Sequence, residues 1–329
     1  MPDILIVVVI VSALAFDYIN GFHDTANAIA TSVSTRALTP RVAVWLAAGL
    51  NFAGAMYSTG VAKTIGGDIV KSAQMVNEHI LISAMLGAIA WNLLTWWFGI
   101  PSSSSHALIG GLMGAVLVAK GAMALNPTGI LKIVASLIFS PVIALASGMI
   151  IMTLIFWIFN QVSPSKMNNK FRRLQILSAA MMSFSHGSND AQKAMGIITL
   201  ALVSVGYLPT LEVPVWVKMA AATAMGLGTA AGGWRIIKTM GGKIFKLEPP
   251  SGFAADLNSS LVIFGATLLH LPVSTTHVVS GSIMGVGTAK RINAVRWGVA
   301  QQMLAAWVLT IPSTAAVSAL SYKVITLLF

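Results

Sequence analysis

One polar signature occurs twice in this chain, inside sequence that is otherwise apolar, and that duplication restricts the fold more than any other feature. Residues 101–114 read PSSSSHALIGGLMG, and residues 272–285 read PVSTTHVVSGSIMG. Pro101, Ser103, His106, Gly110 and Met113-Gly114 recur as Pro272, Ser274, His277, Gly281 and Met284-Gly285. A second pair precedes the first: GFHDTANA at 21–28 and GSNDAQKA at 187–194, which aligns Asp24 with Asp190. A third is KTIGGD at 63–68 and KTMGGK at 238–243. Three pairs in the same order indicate duplication of a unit of about 165–175 residues. Duplicated apolar halves with polar, Gly/Pro-interrupted segments at corresponding places are the sequence mark of a secondary transporter and its binding site.

The residues between the signatures set the solvent. The chain is 56% hydrophobic and 9% charged, against about 25% charged in soluble domains. It reads as an all-α polytopic membrane protein, with no room between apolar runs for a large soluble domain. The first stretch, Ile4 to Ile19, lacks a basic leader and a cleavage site and reads as a retained segment. The absence of cysteine excludes a disulfide framework and any Cys-ligated metal. A net charge of +11 would suggest nucleic acid in a soluble protein. In a membrane protein it reflects loop charges that fix orientation, and no nucleic-acid partner is expected.

A spanning helix needs about 20 apolar residues. The stretches 106–119 and 277–289, which follow the Ser/Thr signatures, are shorter and are expected to be half-helices or re-entrant hairpins. The stretch 175–202 is interrupted by SHGSNDAQK and is expected to break there. The total comes to about 10–12 membrane segments. Matched loops differ in charge: Lys120 stands alone where its partner loop holds Lys290, Arg291 and Arg296. Placing 36–41, 166–173, 235–246 and 290–296 in the cytoplasm puts thirteen of the twenty Lys/Arg there and gives the halves opposite topology. The expected organisation is an N-terminal inverted repeat over 1–160, a basic cytoplasmic linker over 161–173 (QVSPSKMNNKFRR) and a C-terminal repeat over 174–329. Both termini would lie outside.

Proline suits the first helical turn, and Ser and Thr favour the N-cap. A helix start offers free N–H groups and the positive end of the dipole. Ser103, Ser104 and Ser105 with Ser274, Thr275 and Thr276 therefore form a candidate oxyanion cradle. The competing reading is capping plus close packing, since Gly110-xxx-Gly114 and Gly281-xxx-Gly285 resemble helix-contact motifs. Asp24 and Asp190 sit among apolar or small residues, where a carboxylate is costly unless paired, hydrated or functional. They are candidate cation or proton sites, with Asn27, Asn189 and Gln192 as neutral oxygen donors. An Asp190–Lys193 ion pair is the structural alternative for one aspartate and does not cover Asp24. Asp17 reads as interfacial, and Asn51 as a bond across helices. His23, His106, His186 and His277 lie in or beside the signatures without metal-ligand spacing, so hydrogen-bonded packing or proton handling is expected rather than zinc.

GFHDTANAIATSVSTRALTPR, IPSSSSHALIGG, SFSHGSNDAQKAMGIITLAL and LPVSTTHVVSGSIMGVG together resemble the inorganic phosphate transporter (PiT) family in its compact bacterial form, essentially end to end. The resemblance implies phosphate uptake coupled to a cation, an inverted repeat and commonly a homodimer, with the membrane as the only other partner. The first copy departs from the family's Asn-Asp pattern with His23-Asp24, and the second has Gln192-Lys193-Ala194 where Ala-Asn-Ala is usual. Sodium-coupled members have an acidic residue in the region where this chain has Asn51, so the coupling ion, H+ or Na+, stays open. Sulfate is the substrate of some relatives.

The combined expectation is a phosphate importer of the cell membrane, without a cofactor. Ser103, Ser104, Ser105, Ser274, Thr275, Thr276 and Asn189 would bind phosphate. Asp24, Asp190, Asn27 and Gln192 would serve the coupling ion, backed by His23, His106, His277, Lys193 and Asn51. Two rivals from other classes are an intramembrane Ser/His hydrolase and a passive anion channel. A hydrolase needs a base within reach of its serine, and adjacent Ser105-His106 side chains normally diverge. A channel would carry positive rings where this chain has carboxylates.

Overall fold

The computed structural model describes residues 4–328, and it is built of helices. The first half runs α1 (Ile4–Ser34), α2 (Pro40–Ala55), α3 (Gly60–Asp68), α4 (Glu78–Phe98), α5 (Ser104–Lys120) and α6 (Pro127–Ile158). The second runs α7 (Pro164–Asp190), α8 (Gln192–Ser204), α9 (Val215–Ala231), α10 (Trp234–Lys238), α11 (Pro249–Leu268), α12 (Thr275–Lys290) and α13 (Trp297–Leu328). A π turn, Thr239–Lys243, continues α10. Four of these helices, α1, α4, α6 and α13, are long and apolar enough to cross a membrane individually, and α2 with α3 forms a span bent by 67°. The expected 10–12 segments are reached only by counting half-helices and broken helices as well. The stretch 175–202 breaks at Ala191, as its polar interruption suggested.

The halves correspond element by element: α1 to α7 plus α8, α2 to α9, α3 to α10, α4 to α11, α5 to α12 and α6 to α13. They exchange neighbours. Helix α1 packs on α9 while α2 packs on α7, and α5 packs on α13 while α6 packs on α12. The equivalent helices α1 and α7 run antiparallel. Asn20 on α1 bonds Asp190 on α7, and just past the end of α1, Thr35 bonds Gln175, which lies earlier on α7. Glycine permits the exchanged crossings: a Cβ on Gly21 would strike the α9 backbone, and one on its counterpart Gly187 would strike the Asn51 backbone of α2.

Each Ser/Thr signature lies at the tip of a helical hairpin. In the first, α4 ends on Gly99 in the left-handed region (φ 66°), and α5 starts after a Ser103 cap whose oxygen accepts from His106 N. In the second, His270 takes the same left-handed conformation (φ 58°), and Ser274 caps α12 through His277 N. The third motif pair secures these tips crosswise. Thr64 Oγ1 donates to His270 O at 2.8 Å, and Thr239 Oγ1 donates to Gly99 O at 2.9 Å. The outer surface is apolar, with Trp45, Leu131, Phe139, Trp157 and Val308 exposed, while dozens of polar side chains are buried. That is the arrangement a lipid solvent selects.

Candidate functional site

Both hairpin tips converge on the middle of α1 and the end of α7, between two apolar clusters. One cluster contains Phe16, Leu81, Leu108 and Met195; the other contains Ile29, Met182, Ile236 and Val279. Asp24 accepts from Ser104 Oγ of the first tip (3.3 Å to Oδ2) and from Thr276 Oγ1 of the second (3.3 Å to Oδ1). His23 Nδ1 lies 2.6 Å from Asp24 Oδ1. Asp190 Oδ2 accepts from Thr275 Oγ1 at 3.3 Å and Asn20 Nδ2 at 3.3 Å, and pairs with Lys193 Nζ at 2.8 Å. Lys193 Nζ also donates to Ser104 Oγ at 2.8 Å. Asn27 Nδ2 donates to Thr275 Oγ1 (3.3 Å) and Thr276 Oγ1 (3.0 Å). The two aspartates thus sit in one polar network with hydroxyls from both tips.

The site is shut. Asp24 is 2% exposed, Ser104, Thr275 and Thr276 are each 1% exposed, and Asp190 and Lys193 are fully buried. Three ligating groups, Asp24, His186 and Asp190, hold donor atoms within 4.8 Å of one another. Asp190 Oδ1, Asn20 Oδ1 and Asn27 Oδ1 have no hydrogen-bond partner among the described residues. Unsatisfied buried oxygens beside two carboxylates suit a bound cation or proton.

Several expected site residues face elsewhere, each for a local reason. Gln192 is engaged away from the two carboxylates: its Oε1 accepts from Ala62 N of α3 and its Nε2 donates to Ser188 O, so it ties α8 to α3. Ser103 and Ser274 are committed as helix caps. Ser105 Oγ donates to Val273 O at 2.7 Å, tying one tip to the other. Asn189 is absorbed by the second tip, through Thr267 Oγ1, Leu271 O and Val273 N. His23, its counterpart, reaches the first tip through Thr95 Oγ1 (3.1 Å) and Ser102 Oγ (3.5 Å). An imidazole in the first copy and an amide in the second therefore do the same job, which accounts for the His23-Asp24 departure.

His106 and His277 lie behind the tips, away from the carboxylates. Their rings are 4.6 Å apart, and His277 stacks on Trp307 at 3.8 Å. Asp17 is fully buried rather than interfacial, and neither of its oxygens has a hydrogen-bond partner among the described residues. Asn51 acts through His186: its Oδ1 faces His186 Nδ1 at 3.0 Å, which turns Nε2 toward Asp190 at 3.5 Å. Sequence reasoning assigned no role to Asn20, and to His186 only hydrogen-bonded packing or proton handling. They are repeat counterparts, and each sits four positions before its aspartate, on the same helical face. That spacing was the available signal.

Comparison with known proteins agrees with this architecture. A family profile described as "Phosphate transporter family" matches residues 20–318. A probable low-affinity inorganic phosphate transporter of Bacillus subtilis (strain 168) is 55% identical over 328 residues, covering 99% of this chain and 98% of the relative. A protein of the same description from Rhizobium meliloti (strain 1021) is 47% identical, covering 97% and 96%. A solved structure titled "The sodium-dependent phosphate transporter" superposes with a TM-score of 0.89 at 28% identity, covering 99% of this chain and 100% of that one.

Proposed function

The chain belongs to the phosphate transporter family, whose members are transporters rather than enzymes, and we propose that it imports inorganic phosphate together with a coupling cation. One observation carries this reading: hydroxyls from both hairpin tips, Ser104 and Thr276, donate to the single carboxylate of Asp24. In the closed site these hydroxyls, with Thr275, are engaged by aspartates. A cation or proton arriving at Asp24 and Asp190 releases them, and they then turn their O–H groups to phosphate oxygens. The N-terminal ends of α5 and α12, which start at Ser104 and Thr275, add the positive end of the helix dipole. Phosphate without the cation would meet two carboxylates and be repelled. The cation without phosphate would leave the donors unmatched. Each ligand therefore favours the other.

Energy requires such coupling. Carrying HPO₄²⁻ into a cell held at −100 mV costs about 4.6 kcal/mol, so two co-transported positive charges cancel the electrical term and a third drives uptake. Protons or sodium ions can supply these charges, and monovalent phosphate or a neutral metal–phosphate complex lowers the requirement. The coupling residues are Asp24, Asp190, His186 and Asn27; Ser104, Thr275 and Thr276 bind phosphate. Alternate opening of two oppositely oriented halves, 1–160 and 174–329, exposes the site to each side in turn, with the linker 161–173 cytoplasmic and the protein paired as a homodimer.

The test is labelled-phosphate uptake by purified protein in liposomes, with sodium, proton and magnesium gradients imposed one at a time. Accumulation that follows one cation gradient is the expected result. Passive equilibration would mark a channel and overturn the coupled reading.

A further inference from the structure

The two halves differ chemically at one buried position. Asn27 and Lys193 are counterparts in the duplicated signature, and each reaches across to the other half's hairpin. Asn27 Nδ2 donates to Thr275 Oγ1, and Lys193 Nζ donates to Ser104 Oγ, which is the counterpart of Thr275. What else they bring is different. Asn27 keeps an oxygen, Oδ1, with no partner among the described residues, close to the Thr276 hydroxyl that Asp24 shares. Lys193 has no acceptor atom. Its ammonium, fully buried, sits 2.8 Å from Asp190 Oδ2. The first half therefore presents a carboxylate and a spare neutral oxygen, the donor set of a mobile hard cation. The second presents a carboxylate whose cation is covalently attached to the protein.

Resting on the cation-coupled reading above, we propose that Lys193 is a tethered counter-cation. It permanently fills one cation position, on Asp190 Oδ2, and leaves Asp24 and the unpartnered Asp190 Oδ1 for the mobile ion. Each cycle then carries one mobile cation fewer than it would with a neutral oxygen ligand at residue 193. The negative groups around it are Asp190, Asp24 and Asp17, and His186 Nε2 lies 3.5 Å from the same Asp190 Oδ2. A permanent charge here offsets part of the repulsion toward phosphate without leaving with it. It also holds the Ser104 hydroxyl in the site.

The decisive variant is Lys193→Asn, which restores the oxygen and amide that Asn27 supplies in the first half. Charge moved per phosphate is read from reversal potentials in liposomes, for wild type and variant. The variant is expected to move one more positive charge per phosphate. At −100 mV and equal cation concentrations, that charge raises the limiting accumulation ratio about 50-fold. An active variant with the wild-type charge per phosphate overturns the proposal. Should the variant fold but not transport, phosphate binding to the purified protein decides. Its affinity should rise with sodium or proton concentration by one power more than in wild type. A variant of wild-type Tm with the same cation dependence, or with no phosphate binding at any sodium concentration and pH, also overturns it. Failure of wild-type protein itself to accumulate phosphate would instead strike the transport reading.

Discussion

At the residue scale, the site combines three hydroxyls, two carboxylates, two imidazoles, two amides and one ammonium, all buried. Removing one donor at a time should separate substrate binding from coupling. Ser104→Ala and Thr275→Ala each delete one hydroxyl, worth about 0.5–1.5 kcal/mol net. Phosphate affinity measured by equilibrium binding should fall by about 2- to 13-fold in each, with Tm nearly unchanged; full affinity in both singles and the double would remove these hydroxyls from the binding site. Asp24→Asn and Asp190→Asn preserve shape but delete charge. Both should abolish cation-driven accumulation while the protein still folds and inserts. Uptake and folded yield check this together, and gradient-dependent accumulation in both variants would exclude the aspartates from coupling. Asp190→Asn also strands the Lys193 ammonium, so it should be the less stable of the two.

At the element scale, the hairpins are half-helices whose tips must be held without water. Both halves use the same device in crossed form. The threonine of KTIGG in one half and of KTMGG in the other each bonds the left-handed residue that ends the other half's descending helix. Val preserves the β-branched shape of Thr and removes the donor. Thr64→Val and Thr239→Val should each cost about 1 kcal/mol, and more if the tip carbonyl is left buried without a partner. The loss appears as a lower Tm in detergent, with the double variant near the sum because the two bonds share no partner. Equal Tm values across all three variants would show that the tips do not depend on these bonds.

At the scale of the whole molecule, the basic segments gather at one end. Thr35 meets Gln175, Lys290 pairs with Glu248 at 3.0 Å, and Arg296 N donates to Ile244 O. The other end joins Asp68 to Lys132 at 3.6 Å and Lys63 to Glu212 at 3.8 Å. Because the chain has no cysteine, orientation is testable with single introduced thiols. Cysteine at Thr39 or Asn169 should react only with reagent inside the cell, and at Thr210 only with reagent outside. Labelling of all three from one side would contradict opposite orientation of the halves.

Duplication, membrane residence, hairpin tips and the unusual placement of Asp24 and Asp190 were legible in the chain, because polar and charged side chains are costly in lipid and stand out where they recur at matched places. Which hydroxyls serve that site was not legible. Successive residues at a helix start point about 100° apart, so Ser103, Ser104 and Ser105 cannot all face one ligand. The cap takes Ser103, contact between the tips takes Ser105, and the packing of α5 on α13 sets the rotation that leaves Ser104 facing Asp24. Gln192 and Asn189 are turned aside for the same reason, since neighbouring backbone needed their amides. His186 is directed inward by Asn51, a residue far from it in the chain. Composition and repetition determine that a polar site is buried and roughly where; only the rotation and crossing of packed helices decide which atoms face it, because that choice depends on partners from the other half.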